Sequence, residues 1–219
     1  NLHSIYVDQW DWEKIIDKKD RNLETLKKTV NNIHKCILAT LATLKIKYPS
    51  IKVHLPEVLY FISSQELLDM YPNLSSKERE YEITKEHKAV FIIGIGDKLS
   101  NGQSHDGRAP DYDDWKLNGD LIYYHEVLDC ALEISSMGIR VDADSLIYQL
   151  ETSNHTDRMR YRYHQMILNN ELPYTIGGGI GQSRLCMLLM GKAHIGEVQS
   201  SLWDEYTLKL AKENGIIIL

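Results

Sequence analysis

Apolar side chains recur at every third or fourth position between residues 23 and 44. The positions are Leu23, Leu26, Val30, Ile33, Ile37, Leu41 and Leu44. This spacing predicts one long amphipathic helix, with Asp20 as its N-terminal cap and Pro49 as the residue that stops it. An apolar stripe of this length has to pack on a broad surface, and a β-sheet is the natural partner.

Five segments have the composition of β-strands, the first with alternating character and the others with continuous apolar runs. They are residues 3–10, 58–62, 89–96, 121–124 and 131–134. Two Ser-x-x-Glu sequences, Ser63 to Glu66 and Ser75 to Glu78, predict capping boxes that open helices. The polar stretch from residue 97 to residue 120 contains glycines and a proline, and it is predicted to be a long loop of the kind that is usually functional.

The second half of the chain adds a short helix that opens at Asp144, a polar helix over about residues 156–169 and a glycine cluster at residues 177–181. The cluster is predicted to open a last helix. Because the strands follow one another without regular alternation with helices, the pattern favours an α+β fold with an antiparallel sheet.

Size and charge narrow the function classes. A chain of 219 residues fits one domain, and we expect residues 1–219 to be a single catalytic domain. The net charge of -6 argues against a nucleic-acid partner. The three cysteines are widely spaced, which is typical of reduced thiols, and no apolar run approaches the roughly 18 residues of a membrane span. We therefore expect a cytoplasmic protein without a membrane partner.

The densest chemical signal consists of two carboxylates, Asp120 and Glu133, with Ser135 and Ser136 beside the second. Two carboxylates on neighbouring strands would form an oxygen site that suits Mg²⁺ bound to nucleotide phosphates. The alternative is that the two carboxylates lie apart on exposed strand ends.

The glycine cluster and Arg184 give a second signal. A helix amino terminus offers free N–H groups, glycines admit a ligand close to the backbone, and an arginine on the first turn adds a planar cation. This combination indicates a phosphate or base site. The alternative is a tight turn that packs a buried helix.

A third signal lies near the start of the chain, where Gln9 and Asp11 alternate with Trp10 and Trp12. On a strand the two polar residues share one face, which would hold a charged amine. The alternative is a solvated sheet face over an aromatic core.

Long motifs, taken together and in order, resemble the aspartate-ammonia ligase family. They are residues 6–13, 64–68, 94–100, 108–115, 117–120, 133–144 and 176–185. The resemblance covers nearly the whole chain. It implies a class II aminoacyl-tRNA synthetase-like fold, a homodimer, and an enzyme that uses ATP and Mg²⁺ to adenylate the β-carboxylate of L-aspartate. Ammonia then attacks, giving L-asparagine, AMP and pyrophosphate.

The resemblance also implies roles for particular residues. Asp120 and Glu133 correspond to the metal carboxylates, and Arg184 to the arginine that contacts adenine and phosphate. The implied nucleotide-binding residues are His3, Asp120, Glu133, Gly179 and Arg184. The implied substrate-binding residues are Gln9, Asp11, Asp113, Ser135, Ser136 and Arg140. The implied catalytic residues are Arg184, Asp113 and Arg140, and Asp113 is a candidate to deprotonate ammonia.

Two departures from the family pattern lead to expectations. The resemblance starts inside the pattern, so we expect an amino-terminal portion ahead of Asn1 that carries the dimer motif and a phosphate-binding arginine. The segment between Trp115 and Leu117 also looks shorter than the pattern by about ten residues.

Two rival functions share the fold. One is the catalytic core of an aspartyl- or asparaginyl-tRNA synthetase, which would need a tRNA-binding module and a positive surface. The other is a non-catalytic synthetase-like regulator, and such proteins tend to lose the metal carboxylates and the arginine at the position of Arg184. Asp120, Glu133 and Arg184 are all present, which favours the ligase.

Overall fold

A computed structural model describes residues 1–219 and contains one six-stranded sheet with seven α-helices. The strands are β1 (Gln9–Ile15), β2 (Tyr60–Ser63), β3 (Ala89–Ile93), β4 (Asp113–His125), β5 (Cys130–Arg140) and β6 (Thr175–Gly181). The helices are α1 (Leu23–Lys47), α2 (Ser64–Met70), α3 (Ser76–His87), α4 (Ala143–Thr152), α5 (Arg162–Leu168), α6 (Gln182–Met190) and α7 (Glu205–Glu213). None of the helices has the length and apolar composition that crossing a membrane requires.

The sheet has the strand order β1-β6-β5-β4-β3-β2. All neighbours are antiparallel except β2 and β3, which are parallel. The predicted α+β fold with a mainly antiparallel sheet is therefore confirmed. The single parallel pair arises because the chain passes through α2 and α3 between β2 and β3, and a crossover of this kind returns the chain in the same direction.

The two faces of the sheet are covered differently. Helices α1 and α6 pack over one face, where Leu26 and Leu188 join Phe91 and Tyr123 in the main core. On the other face, α2 and α3 pack on the β2–β3–β4 side, around a smaller core that contains Leu67, and α3 also contacts β5. The part of this face over β1 and β6 has no such apolar layer, and a cleft lies there and over the adjoining part of β5.

The long amphipathic helix predicted from the apolar stripe is present as α1, and Leu26, Val30, Ile37 and Leu41 of the stripe are buried. Its cap is different from the predicted one. Asn22, and not Asp20, accepts the N–H of Thr25 and begins the helix. Asp20 instead belongs to a short 3₁₀ turn that precedes it. The two predicted capping boxes, at Ser63 and at Ser75, are both formed.

Several strand boundaries differ from the predicted ones. The first strand begins at Gln9, and residues 3–8 form no strand. The predicted loop over residues 97–120 is wrong in its second half, because β4 begins at Asp113. The polar composition misled the prediction there, since polar residues of β4 such as Asp113, Asn118 and Asp120 are buried. Each of the three has a partner elsewhere in the fold, which makes its burial tolerable.

The glycine cluster is a strand and not a tight turn. Residues 175–181 form β6, which pairs with β1 on one side and with β5 on the other. Helix α6 begins directly after it at Gln182. The backbone N–H groups of the cluster therefore serve the sheet, and its functional contribution comes from the absence of side chains.

Strand β4 bulges away from β5 near the cleft, because Asp113 is opposite Arg140 while Asn118 is opposite Gly138. Gln149 of α4 satisfies the backbone that this irregularity leaves without partners. Its amide donates to the carbonyls of Pro110 and Asp113, at 2.9 and 3.0 Å, and accepts the N–H of Trp115 at 2.8 Å. A single buried side chain thus fixes the segment that carries Asp113.

We predict that Gln149→Met lowers the free energy of unfolding by about 3 kcal/mol, because each buried polar group left without a partner costs about 1–3 kcal/mol. Urea denaturation followed by circular dichroism measures the change. The matched control is Gln165→Met, because Gln165 is exposed and makes one bond, to the carbonyl of Met159. Equal stability of the two variants would contradict this account of the bulge.

Candidate active site

The uncovered half of the sheet forms the floor of a cleft of about 570 Å³. Its walls come from the amino-terminal segment around His3, the loop that carries Arg108, and the start of α6 with Arg184. The cleft brings together most of the residues predicted from the sequence. Those that line it are His3, Gln9, Asp11, Asp113, Glu133, Ser135, Ser136, Arg140, Gly179 and Arg184. Asp120 is buried and contacts Arg108 of the cleft wall.

A β-bulge places Glu133 on the same face of the sheet as Asp120. Asp120 is opposite Ser136, but Ile122 is opposite Glu133, so β5 has one more residue than β4 over this interval. Without the extra residue, alternation would turn Glu133 to the face that α1 covers. The predicted pairing of Asp120 with Glu133 therefore depends on a local irregularity of the sheet.

The Asp120 carboxylate lies under the cleft floor, where it is 3% exposed. Arg108 forms an ion pair with it. Burial raises the pKa of Asp120 to about 6, with a contribution from the negative charge of Glu133, while Arg108 and a hydrogen bond from Ser136 oppose the rise. Asp120 and Glu133 are thus close enough to repel each other, and a cation between them would relieve the repulsion.

The residues present fit a magnesium ion of a particular kind. The protein has no cluster of three or more His, Cys, Asp or Glu side chains in a metal-binding arrangement. Magnesium bound together with a nucleotide usually takes only one or two protein carboxylates and completes its coordination with phosphate and water oxygens. Asp120 and Glu133 meet this lower requirement.

Arg184 lies at the same end of the cleft as Glu133. One of its terminal nitrogens donates to the carbonyl of Glu133 at 3.1 Å, and the other lies 2.9 Å from Nδ1 of His3. Burial lowers the pKa of His3, and the charge of Arg184 lowers it further. A neutral His3 accepts the hydrogen bond, and the planar face of the guanidinium is available to a ligand.

Arg140 organises the opposite end of the cleft. It forms ion pairs with Asp113 and with Glu13, the latter at 2.7 Å, and its guanidinium lies 4.0 Å from the ring centre of Tyr112. Burial raises the pKa of Asp113, although Arg140 opposes the rise. Arg140 thus pairs with two carboxylates, and Asp11 lines the same cleft, so this end is suited to a positively charged amine.

Glycines of β5 and β6 make room for these side chains. A Cβ atom at Gly177 would lie 2.2 Å from Glu13 and 2.5 Å from Arg140, and one at Gly138 would lie 2.9 Å from Asp113. At Gly179 it would lie 2.7 Å from Asp11 and 3.1 Å from Gln9. The glycine-rich strand therefore forms a floor on which the charged side chains rest.

The predicted residues differ in how free their polar groups are to bind a ligand. Gln9 and Asp11 lie beside each other over Gly179, as their alternation on a strand predicts. Ser135 is buried, and its hydroxyl donates to the carbonyl of Gly179 at 2.7 Å, so it is occupied within the protein.

Sequence reasoning missed three residues that contact predicted ones, namely Glu13, Arg108 and Tyr112. All three lie within the motifs that carry the family resemblance. Only tertiary contacts reveal that Glu13 pairs with Arg140 and that Arg108 pairs with Asp120. The one available signal was the period of two along β1, which puts Glu13 on the same face as Gln9 and Asp11.

The fold has solved counterparts among aminoacyl-tRNA synthetases. An aspartyl-tRNA synthetase from Entamoeba histolytica superimposes with a TM-score of 0.64 at 15% identity, covering 93% of this chain and 44% of that one. An asparaginyl-tRNA synthetase from Pyrococcus horikoshii, complexed with asparaginyl-adenylate, gives 0.62 at 16% identity, covering 93% and 50%. The structure thus has the fold of a class II aminoacyl-tRNA synthetase catalytic core.

Sequence comparison identifies the family within this class. The model of the aspartate-ammonia ligase family matches residues 1–215. An aspartate--ammonia ligase from Clostridium perfringens is 60% identical over 219 residues, which are 100% of this chain and 65% of that protein. The chain belongs to the aspartate-ammonia ligase family, and it spans about 65% of the length of this relative.

The expectation of a shortened segment after Trp115 is wrong with respect to this relative. The alignment contains 219 positions for the 219 residues of the chain, which leaves no room for a ten-residue deletion. In the structure Trp115 and Leu117 lie within the continuous strand β4.

We predict that the contribution of Asp120 to the free energy of unfolding falls as the pH rises from about 4 to about 6. Over this window the native state retains a proton on Asp120 that the unfolded state has lost, so each step in pH favours unfolding. Asp120→Asn should remove a fall on the order of 2 kcal/mol. Urea denaturation across this pH range tests the prediction. The exposed Asp157→Asn is the control, and an Asp120→Asn variant with the same pH dependence of unfolding free energy as the control would contradict the prediction.

Proposed function

We propose that the polypeptide containing this chain ligates ammonia to L-aspartate at the expense of ATP. The reaction proceeds through β-aspartyl-adenylate and yields L-asparagine, AMP and pyrophosphate. The observation that carries the proposal is the division of one cleft into two ends: a carboxylate-rich end around Arg140, and an end where Arg184 lies beside Glu133 and Asp120. Membership of the aspartate-ammonia ligase family supports the same reaction.

The end around Arg140 is suited to aspartate. Asp11 and Gln9 provide acceptors for the α-amino group, and Arg140 is the cation available for the carboxylate that is not activated. Arg140 now holds Glu13 through two nitrogens. Because Glu13 lies on the exposed β1 strand, it is the partner that a substrate carboxylate would replace.

The other end is suited to the nucleotide. Arg184 presents its guanidinium to adenine and phosphate, and His3 holds that guanidinium in position. Asp120 and Glu133 would hold Mg²⁺, which neutralises phosphate charge and stabilises pyrophosphate as it leaves. Gly179 lines the cleft beside Gln9 and Asp11, where its missing side chain leaves space for a ligand.

The chain's own groups also account for proton transfer. Ammonia exists mainly as ammonium near neutral pH, and it must lose a proton before it attacks. Burial raises the pKa of Asp113, which makes its ionised carboxylate a better proton acceptor than an ordinary aspartate. Ser136 lies opposite Asp120 in the sheet and donates to its carboxylate, so it holds that group in place.

The adenylate intermediate and the cellular setting are further parts of the proposal. The solved asparaginyl-tRNA synthetase relative carries an asparaginyl-adenylate, which supports an adenylate step on this fold. The three unpaired cysteines support a cytoplasmic enzyme. A homodimer rests on the family resemblance.

Product analysis tests the proposed reaction. The whole polypeptide that contains these residues, supplied with aspartate, ammonium, ATP and Mg²⁺, should form free asparagine and AMP in equal amounts, as measured by mass spectrometry. The same incubation with tRNA added should give no aspartylated tRNA. Aspartylated tRNA as the main product would replace this proposal with a synthetase function, and the absence of any AMP would favour a non-catalytic role.

The glycine floor provides a sharper test of the aspartate end. Gly179→Ala should raise the KM for aspartate by about tenfold or more, because a displacement of about 1 Å at a reacting site costs up to a hundredfold. The KM for ATP should rise less than the KM for aspartate, because the new Cβ would contact Asp11 and Gln9. The control is Gly181→Ala, where the nearest atom to a new Cβ is 3.7 Å away. If both variants keep the native KM for aspartate, Asp11 and Gln9 do not bind it.

A further inference from the structure

Arg108 occupies a position that the proposed reaction does not explain. Its side chain lines the cleft, and its guanidinium pairs with Asp120, the carboxylate proposed above as a metal ligand. The other terminal nitrogen donates to the carbonyl of the adjacent Gly107 at 3.0 Å. The guanidinium therefore lies where a cation between the cleft and Asp120 would lie.

The bonding of Arg108 is incomplete. Its Nε is buried and has no hydrogen-bond partner. An arginine has five N–H donors, and a buried donor without an acceptor costs free energy. The side chain thus has an unused donor beside an open cleft, where an anionic ligand with several oxygens would provide acceptors.

The loop that carries Arg108 is anchored on both sides. His105 lies 3.1 Å from Glu80 of α3, and its side chain is fully buried. Asp111 lies 3.0 Å from both His164 and Arg158. Between these anchors, Gly107 has open space around it. The backbone is therefore held at residues 105 and 111, and rotation of the Arg108 side chain is the motion that needs least rearrangement.

We propose that Arg108 is a built-in counter-ion that occupies the place of the metal ion at Asp120 and gives it up when a metal-bound nucleotide enters. The inference rests on the proposed function. A buried carboxylate needs a compensating cation before the ligand arrives. A guanidinium and a divalent metal on the same carboxylate repel each other, so the two occupy it in turn. The nucleotide polyphosphate supplies acceptors for the displaced guanidinium, including its unpaired Nε.

This exchange makes metal binding depend on the nucleotide. A metal ion that enters alone has to displace Arg108 while offering it no new partner, so its affinity is low. A metal ion that enters with a polyphosphate brings the new partner with it. Removing the guanidinium should therefore strengthen the binding of metal alone and weaken the binding of the nucleotide, two effects of opposite sign.

The test measures the binding of Mn²⁺ by electron paramagnetic resonance at about pH 8, well above the pKa of Asp120. It uses the whole polypeptide without aspartate or ammonia. Arg108→Gln should bind Mn²⁺ alone about tenfold more tightly than the native protein, within the usual range of coupling between sites. Its affinity for an ATP analogue with a methylene group between the α and β phosphorus atoms, measured by calorimetry with Mg²⁺, should fall by a similar factor.

Lys77→Gln is the matched control. Lys77 is a cation within electrostatic range of Glu133, but it pairs with Glu80 and Asp106 and not with Asp120. Its removal should change Mn²⁺ affinity less than twofold, since exposed charges interact weakly through water. A change as large as that of Arg108→Gln would mean that general electrostatics, and not exchange at Asp120, causes the effect, and the proposal would fail.

Folding of the variant is controlled by melting temperature with and without Mn²⁺, and Arg108→Met serves as a second variant that retains the apolar part of the side chain. A low melting temperature that recovers with Mn²⁺ supports exchange. Folded variants that bind Mn²⁺ no better than the native protein overturn it, as do variants that stay unfolded with Mn²⁺. Because no product is measured, absence of asparagine formation would contradict the proposed function without deciding this exchange.

Discussion

The cleft depends on the pairing of buried or half-buried carboxylates with arginines from distant parts of the chain. Arg140 forms ion pairs with both Asp113 and Glu13. Arg108, from the loop held at residues 105 and 111, forms an ion pair with Asp120. Arg21 holds the backbone of Arg140 in place by donating a hydrogen bond to its carbonyl oxygen. Removing one partner of such a pair would leave an uncompensated charge in a region of low dielectric. The charges that suit the site to polar substrates are thus also the contacts that hold its walls together.

The sheet turns this charge pattern into a binding surface. Helices cover most of one face and a smaller part of the other, and the uncovered part of the second face contains the glycines of β5 and β6. Because these glycines have no side chains, the carboxylates of β1 and the guanidinium of Arg140 lie flat on the backbone. The space above these glycines therefore holds the polar side chains and leaves room for a ligand, and a larger apolar residue would fill it. Valines in place of these glycines would collide with the charged side chains and close the floor of the cleft.

The fold by itself does not determine the function. Solved synthetases share the fold at 15–16% identity, and a fold of this kind hosts more than one acceptor for an activated amino acid. The choice of acceptor has to come from the site and from the family to which the chain belongs. In this cleft Arg140 pairs with two carboxylates and Asp11 lines the same space, a charge balance that favours a small cation over a polyanion.

The sequence by itself determined the features that local rules control. The apolar stripe of α1 and the caps at Ser63 and Ser75 follow from contacts within a few residues, and the motifs identified the family. Tertiary structure decided the rest. The bulge that turns Glu133 toward Asp120 depends on the register of β4 and β5. The pairing of Arg108 with Asp120 depends on a loop that contacts α3 on one side and α5 on the other. Register and loop anchoring are set by contacts between residues far apart in the chain, and no local pattern encodes them.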